Sequence, residues 1–240
     1  MVGISFLDRS VRWLDSPPIL PPARGWSTPI AAGTVNRLSP LEAPERARAT
    51  GGTSRKKLVV TENITLGVID ASEGWFAPAG AEEVDQSDLN AALLEQAEAA
   101  DALLLGRVTF AQFRGYWPPQ TDDETGVAEY LNNVSKYVVS NTMKDPGWER
   151  STVLSGDLEE NVRELKGRSG KDIVVTGSIS LVHELIPLGL VDEYRLFVYP
   201  VLVGRGARLF EDATNVPNLK LVDSRSFRSG VVLTSYRADG

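Results

Sequence analysis

From Lys57 onward, short β-branched runs alternate with segments whose apolar residues recur every three or four positions. Leu89, Leu93 and Ala97 have this spacing while Glu95 and Glu98 fall on the other side, which predicts an amphipathic helix. Asp85, Ser87 or Asp88 is expected to cap that helix. Further helices are predicted over 107–117, 127–134, 158–165 and 180–189, and strands over 58–66, 102–106, 136–140, 152–154, 172–177, 193–202 and two within 220–237.

This alternation is typical of βαβ units around a mainly parallel sheet. The last two strands are an exception, because only a short turn around Arg228-Ser229-Gly230 separates them. Such a short connection predicts an antiparallel hairpin. The expected fold class is therefore α/β, with an open and mostly parallel sheet.

The first 56 residues differ from the rest of the chain. They contain seven of the fourteen prolines and eight Lys or Arg against four Asp or Glu, and they have no sustained apolar period. The segment GGTSRKK ends this region and is typical of a domain boundary. We expect residues 1–56 to be a disordered Pro/Arg-rich extension and residues 57–240 to form one domain.

Composition excludes several classes of function. Residues 57–240 carry 17 basic and 28 acidic side chains, so this part would repel nucleic acid and anionic membranes. The chain has no cysteine and a single histidine, His183, which argues against a metal site built on those residues and against a His-dependent triad. No membrane-spanning run or signal peptide is evident, and we expect a cytoplasmic protein with a small-molecule substrate.

Two strand-to-helix junctions begin with glycine. Gly106 is followed by Arg107 and Thr109, and Gly177 lies between Thr176 and Ser178. Because ligands collect at the carboxyl ends of parallel strands, these turns suit a ligand with more than one phosphate. Neither matches a dinucleotide or P-loop fingerprint, so ordinary capped turns are the alternative.

Three segments, LLLGRVTF, VVSNTM and VVTGSISLVHELIPLGLVDEYRLFVYPVLVGRGARLF, follow the first strand KLVVTENITL. Together they resemble the dihydrofolate-reductase-like family, over about residues 56–237. The resemblance is greatest to the reductase domain of the bacterial riboflavin-biosynthesis deaminase-reductase and its stand-alone relatives. It implies a three-layer fold with eight or nine strands and a C-terminal antiparallel hairpin, a homodimer and an NADPH cofactor, with NADH as the alternative.

The resemblance also implies roles for individual residues. The cofactor-binding positions it indicates are Gly106, Arg107, Thr109, Ser140, Thr142, Thr176, Gly177 and Ser178. The substrate-binding positions are Trp75, Pro200, Gly204, Arg205 and Gly206.

Two departures from the family pattern concern catalysis and cofactor choice. Relatives read T-L-D-G-V after the first strand, whereas this chain reads T-L-G-V and lacks the acid. The remaining candidates for a catalytic proton donor are Glu62, Asp70 and Glu73. Asn141 stands where relatives often have a basic residue, which weakens the expected preference for NADPH over NADH.

The expected function is NADPH-dependent reduction of a pyrimidine, pterin-like or ribosylated heterocycle, resembling 5-amino-6-(5-phosphoribosylamino)uracil reductase of riboflavin biosynthesis. Hydride transfer asks little of protein side chains beyond positioning and exclusion of water, so the lack of Cys is no obstacle. Two alternatives stay open: a non-catalytic dinucleotide sensor, and a permissive reductase of an unrelated small molecule.

Overall fold

The structure, a computed structural model, describes residues 55–66, 84–120, 123, 125–203, 206–210 and 218–238. These residues form eight strands and five helices in an alternating order. The strands are β1 (Leu58–Ile64), β2 (Ala100–Gly106), β3 (Ser135–Val139), β4 (Ser151–Leu154), β5 (Asp172–Thr176), β6 (Glu193–Val198), β7 (Leu219–Ser226) and β8 (Val232–Ala238). The helices are α1 (Ser87–Glu98), α2 (Arg107–Tyr116), α3 (Val127–Asn133), α4 (Leu158–Gly167) and α5 (Ile179–Leu185).

All eight strands belong to one sheet with the order β4-β3-β2-β5-β1-β6-β8-β7. The first six strands in this order are parallel, and β8 and β7 are antiparallel to their neighbours. Residues 227–231 connect β7 directly to β8, with the N–H of Phe227 donating to the carbonyl of Val231 at 2.9 Å, and so short a turn makes these two strands antiparallel. The predicted fold class and the C-terminal hairpin are confirmed.

Helices cover both faces of the sheet, which explains the unbroken apolar runs of its central strands. Successive residues of β1 point to opposite faces, so Val60 packs with α4 and α5 while Val59 packs with α2 and α3. A third cluster joins Leu89 of α1 to Phe197 of β6 and Phe227 of the hairpin turn. The result is a three-layer α/β domain.

Lys136 is fully buried and joins α3 to the strand that follows it. Its Nζ donates to the carbonyls of Leu131 at 2.7 Å and Val134 at 2.9 Å, and it lies 4.4 Å from the centre of the Trp148 ring. The last carbonyls of a helix have no partner within the helix, so this ammonium group satisfies atoms that would otherwise be buried alone.

The predicted cap of α1 was wrong. The N-cap position is Gln86, which makes no side-chain capping bond. Asp85 instead accepts the N–H of Ser87 at 2.9 Å and forms an ion pair with Arg228, and Asp88 also accepts the N–H of Arg228 at 3.0 Å. The two carboxylates therefore connect the start of α1 to the hairpin turn, a contact between distant parts of the chain.

Two predicted strands and one helix end at least two residues earlier than expected. β1 ends at Ile64 and β6 at Val198, because the parallel ladder between them closes with this pair and Pro200 has no N–H to extend it. Helix α5 ends at Leu185, shortly before Pro187. The residues beyond these ends lie outside the regular elements.

Candidate functional site

The two glycine turns lie side by side at the carboxyl edge of the sheet. Gly106 ends β2 and is the N-cap of α2, while Gly177 and Ser178 connect β5 to α5. They meet because β2 and β5 are neighbouring parallel strands, with Leu104 paired to Val175.

Ser178 links the two turns directly. Its Oγ accepts the N–H of Gly106 at 2.8 Å and donates to Thr109 Oγ1 at 2.7 Å. The serine has a φ of 58°, in the left-handed region that a residue with a side chain seldom occupies, and such strain is often found at functional sites. Ser178 thus holds the two turns together. Because the Thr109 oxygen accepts the Ser178 hydroxyl, the hydroxyl hydrogen of Thr109 can be donated to another acceptor.

Both glycines are required by the close approach of the turns. A Cβ atom on Gly106 would lie 2.7 Å from Ser178 Oγ, and one on Gly177, whose φ is +65°, would lie 3.0 Å from Thr109 Cγ2. Any side chain at either position would push the turns apart.

The first turn of α2 has the properties of an anion site. The leading N–H groups of a helix have no acceptor within the helix and carry the positive end of its dipole. Arg107 is exposed there, and no ion pair among the described residues engages it. Backbone donors, the Thr109 hydroxyl and a guanidinium therefore occupy one short segment, which suits a phosphate group.

Ser140 and Thr142 follow β3, the neighbour of β2 on its other side. Ser140 Oγ accepts the N–H groups of Thr142 at 3.2 Å and Met143 at 3.0 Å, so it shapes its own turn. Asn141 Oδ1 accepts the N–H of Gly156 at 2.8 Å and joins this turn to the loop after β4. The amide that stands in place of a basic residue therefore has a structural bond.

Glu62 is buried beside the second glycine turn. It follows Thr61, which pairs with Thr176 of β5. Because side chains alternate along a strand, Glu62 and Val60 lie on the same face of the sheet, the one covered by α4 and α5. Burial raises the pKa of Glu62 to about 8, and a hydrogen bond from the N–H of Gly177 lowers that pKa by less. Its Oε1 has no hydrogen-bond partner among the described residues.

A cavity of about 80 Å³ lies on the opposite face, between the sheet and helices α1, α2 and α3. It reaches Thr61 and Thr176, the residues directly before Glu62 and Gly177. Burial raises the pKa of Tyr130, so its hydroxyl remains protonated. The cavity is lined by Thr61, Leu93, Gln96, Ala97, Leu103, Phe113, Val127, Tyr130, Leu131, Val174 and Thr176.

Of these cavity residues, sequence reasoning selected only Thr176, and for a different role. Gln96 offered a signal, because it lies seven positions after Leu89 on the apolar side of α1. A polar residue in that position is expected to serve a cavity or a buried partner. Its Oε1 accepts the Thr61 hydroxyl at 3.4 Å, and its buried Nε2 has no partner among the described residues.

The predicted substrate residues are only partly described. Pro200 is exposed beside the hairpin turn, where a Cβ on Gly230 would lie 3.4 Å from its Cγ, and Gly206 has a φ of 149°. His183 of α5 has its Nε2 2.9 Å from the carbonyl oxygen of Arg208. Asp70, Glu73, Trp75, Gly204 and Arg205 lie outside the described residues.

Within the described ranges, no group of three or more His, Cys, Asp or Glu side chains is arranged to hold a metal ion. In the same ranges, none of the helices has both the length and the apolar character needed to cross a membrane.

Comparison with solved structures identifies the class of fold. A dihydrofolate reductase from Enterococcus faecalis complexed with NADP(H) superposes with a TM-score of 0.51 at 17% identity, covering 78% of this chain and 98% of that one. A pyrimidine reductase-like protein from Corynebacterium diphtheriae gives a TM-score of 0.54 at 18% identity, covering 78% of this chain and 93% of that one. The fold is therefore dihydrofolate-reductase-like.

Sequence comparison identifies the family. Residues 56–233 match the RibD C-terminal domain, and the chain belongs to this family. It is also 32% identical over 196 residues to the uncharacterized protein YyaP of Bacillus subtilis, a match covering 80% of this chain and 100% of YyaP. The predicted family is confirmed.

Proposed function

We propose that the protein is an NADPH-dependent reductase of a small heterocycle, of the pyrimidine, pterin-like or ribosylated kind. The observation that carries this proposal is the pair of glycine turns joined by Ser178. Many α/β proteins have one capped turn at a strand end, but here two neighbouring turns are hydrogen-bonded to each other and pack without room for a Cβ.

The residues of this edge fit a dinucleotide phosphate. Arg107, the hydroxyl of Thr109 and the first N–H groups of α2 would hold the phosphates, because they combine charge with convergent donors. Ser178 would keep Gly106 and Gly177 at the separation that lets a phosphate reach the backbone. Asn141 supplies no charge for a 2′-phosphate, so NADH stays the alternative cofactor.

The bound cofactor would supply the hydride. The chain would bind the cofactor and the substrate, orient them towards each other and exclude water. The cavity beside Thr61 and Thr176 is the proposed position of the acceptor ring. Leu93 and Phe113 offer apolar walls, and the protonated hydroxyl of Tyr130 offers a donor. Its 80 Å³ is less than the roughly 150 Å³ that holds a benzene ring, so we expect α1 and α3 to separate when substrate binds.

The basic test is a fluorescence titration of the purified protein with NADPH and NADH. Loss of nicotinamide absorbance is then followed with dihydrofolate and with the riboflavin-pathway aminouracil as acceptors. Binding followed by turnover supports the proposal. Tight binding without turnover of either acceptor would favour the dinucleotide sensor, and no binding at sub-millimolar concentration would refute the dinucleotide site.

Gly106→Val tests the site itself. The added side chain collides with Ser178 Oγ and breaks the bond from the Gly106 N–H, so dinucleotide affinity should fall at least about tenfold. Gly115→Ala is the matched control, because it lies in the same helix with nothing within 4 Å of the added Cβ. Equal affinity of the two variants would move the site elsewhere.

We also propose a homodimer, as the family resemblance of the sequence implies. Light scattering of the purified protein measures the mass of the particle in solution, and a monomer at micromolar concentration would contradict the assignment.

A further inference from the structure

A second cleft, of about 300 Å³, lies at the opposite edge of the sheet from the glycine turns. It is bounded by α1 and by the face that β6, β8 and β7 present beside it. Glu193 and Arg195 at the start of β6 pair with Arg237 and Ser235 near the end of β8, so all four side chains project from one face. The cleft volume is within the range of small-molecule sites.

The carboxylates that line this cleft already have partners. Glu193 Oε1 is 2.7 Å from Arg195 Nε, and Glu193 Oε2 is 3.5 Å from Lys57 Nζ. Arg225 binds Glu95 at 2.6 Å and Asp223 at 2.9 Å.

One further carboxylate lies behind the lining residues. Asp172 Oδ2 is 3.4 Å from Arg195 NH2, so the guanidinium of Arg195 has a second carboxylate partner besides Glu193. Cationic and carboxylate groups are balanced once this residue is included. The acceptors of the cleft are therefore used within its own network.

Three residues of the cleft carry hydrogen-bond donors that these ion pairs do not use. Ser235 is only 6% exposed and lines the cleft, yet its hydroxyl makes no hydrogen bond among the described residues. Arg237 lines the same cleft, and no ion pair in the described part of the chain engages its guanidinium. Gln96 is a third lining residue, with its Oε1 directed to Thr61 and its buried Nε2 unpartnered in the described ranges.

A buried donor without an acceptor is costly unless a ligand or water satisfies it, and the Nε2 of Gln96 is such a donor, whereas the Arg237 guanidinium is exposed at the opening. All three residues line this cleft, and Gln96 also borders the cavity beside Thr61. A ligand that complements these donors brings acceptor oxygens, and a negative charge on it would pair with Arg237, the lining cation that no ion pair in the described residues engages.

We propose that this cleft binds a small anion with a carboxylate or phosphate group, held by the Arg237 guanidinium and the Ser235 hydroxyl. The Arg237 guanidinium can donate two parallel hydrogen bonds to either group, because carboxylate and phosphate both present paired oxygens. Lys57, at the rim with its side chain 45% exposed, adds positive charge beside the same opening.

The experiment is calorimetric titration of the full chain at low ionic strength, with inorganic phosphate in one arm and succinate in the other. The arm that gives saturable heat identifies the anion as a phosphate or a carboxylate. Arg237→Gln and Ser235→Ala should each weaken that binding about tenfold. Arg237 is exposed, and its side chain makes no hydrogen bond or ion pair within the described part of the chain, so this variant should retain the wild-type circular dichroism spectrum.

Two control variants separate the cleft from other cationic positions. Arg163→Gln removes an exposed guanidinium on α4 that is paired with Glu159, and it should leave anion binding unchanged. Arg107→Gln removes the cation at the glycine turn, so any phosphate binding that this variant loses is assigned to that turn and not to the cleft. The proposal is overturned if binding is lost only in Arg107→Gln, if both cleft variants bind like wild type, or if neither anion gives heat up to about 10 mM.

Discussion

Replacing Glu62 by glutamine is expected to remove a large pH dependence from the stability of this domain. Glutamine has the shape of the protonated carboxyl, and its Oε1 can still accept the N–H of Gly177. The wild-type side chain is 6% exposed, and burial raises its pKa from 4.5 to about 8. The neutral acid is therefore the form that the folded protein favours at neutral pH.

The sign and size of the effect follow from proton linkage. Between the two pKa values the unfolded chain has lost the proton and the folded protein still holds it, so the free energy of unfolding decreases as pH rises. The slope for one such group is about 1.4 kcal/mol per pH unit. From about pH 5 to about pH 8 the wild type should lose about 4 kcal/mol relative to Glu62→Gln.

Urea unfolding at four pH values across this window measures the difference. Other titrating groups are common to both proteins and cancel in the comparison. Glu184→Gln is the matched control, an exposed glutamate on α5, and its stability should follow that of the wild type. If the wild type and Glu62→Gln gave parallel curves across the window, the reasoning about a buried neutral acid would be refuted.

Three further predictions concern other features of the domain. Lys136→Met removes the donor to the carbonyls of Leu131 and Val134 and should lower the free energy of unfolding by about 2 kcal/mol in urea titrations; an unchanged midpoint would contradict the role of that ammonium group. Ser178→Ala removes the bond between the glycine turns and should weaken dinucleotide binding about tenfold by fluorescence, whereas the exposed Ser180→Ala should not; equal affinities would contradict the bracing role. Deleting residues 1–53 should leave the melting temperature and cofactor affinity unchanged, and a loss of either would show that this segment belongs to the domain.

The kinds of element, and the two strand ends that carry the glycine turns, were determined by the sequence alone. Apolar spacing is a local property, so the order of strands and helices along the chain could be predicted. The observed ends of these elements differ from the predicted ends by a few residues. Gly106 and Gly177 each follow a buried run, and carboxyl ends of parallel strands meet at one edge of a sheet. The pattern by itself therefore predicts that the two turns lie at one edge.

The partners of individual polar side chains were decided only by the tertiary structure. Glu62 lies between the polar residues Thr61 and Asn63, a pattern that also fits an exposed position, and it is buried on the face of β1 that α4 and α5 cover. The bond between Ser178 and Gly106 joins residues 72 positions apart, and the cleft at Ser235 and Arg237 requires β8 to lie beside β6. Such contacts depend on the order of strands in the sheet, which results from packing of the whole chain and which local spacing does not encode.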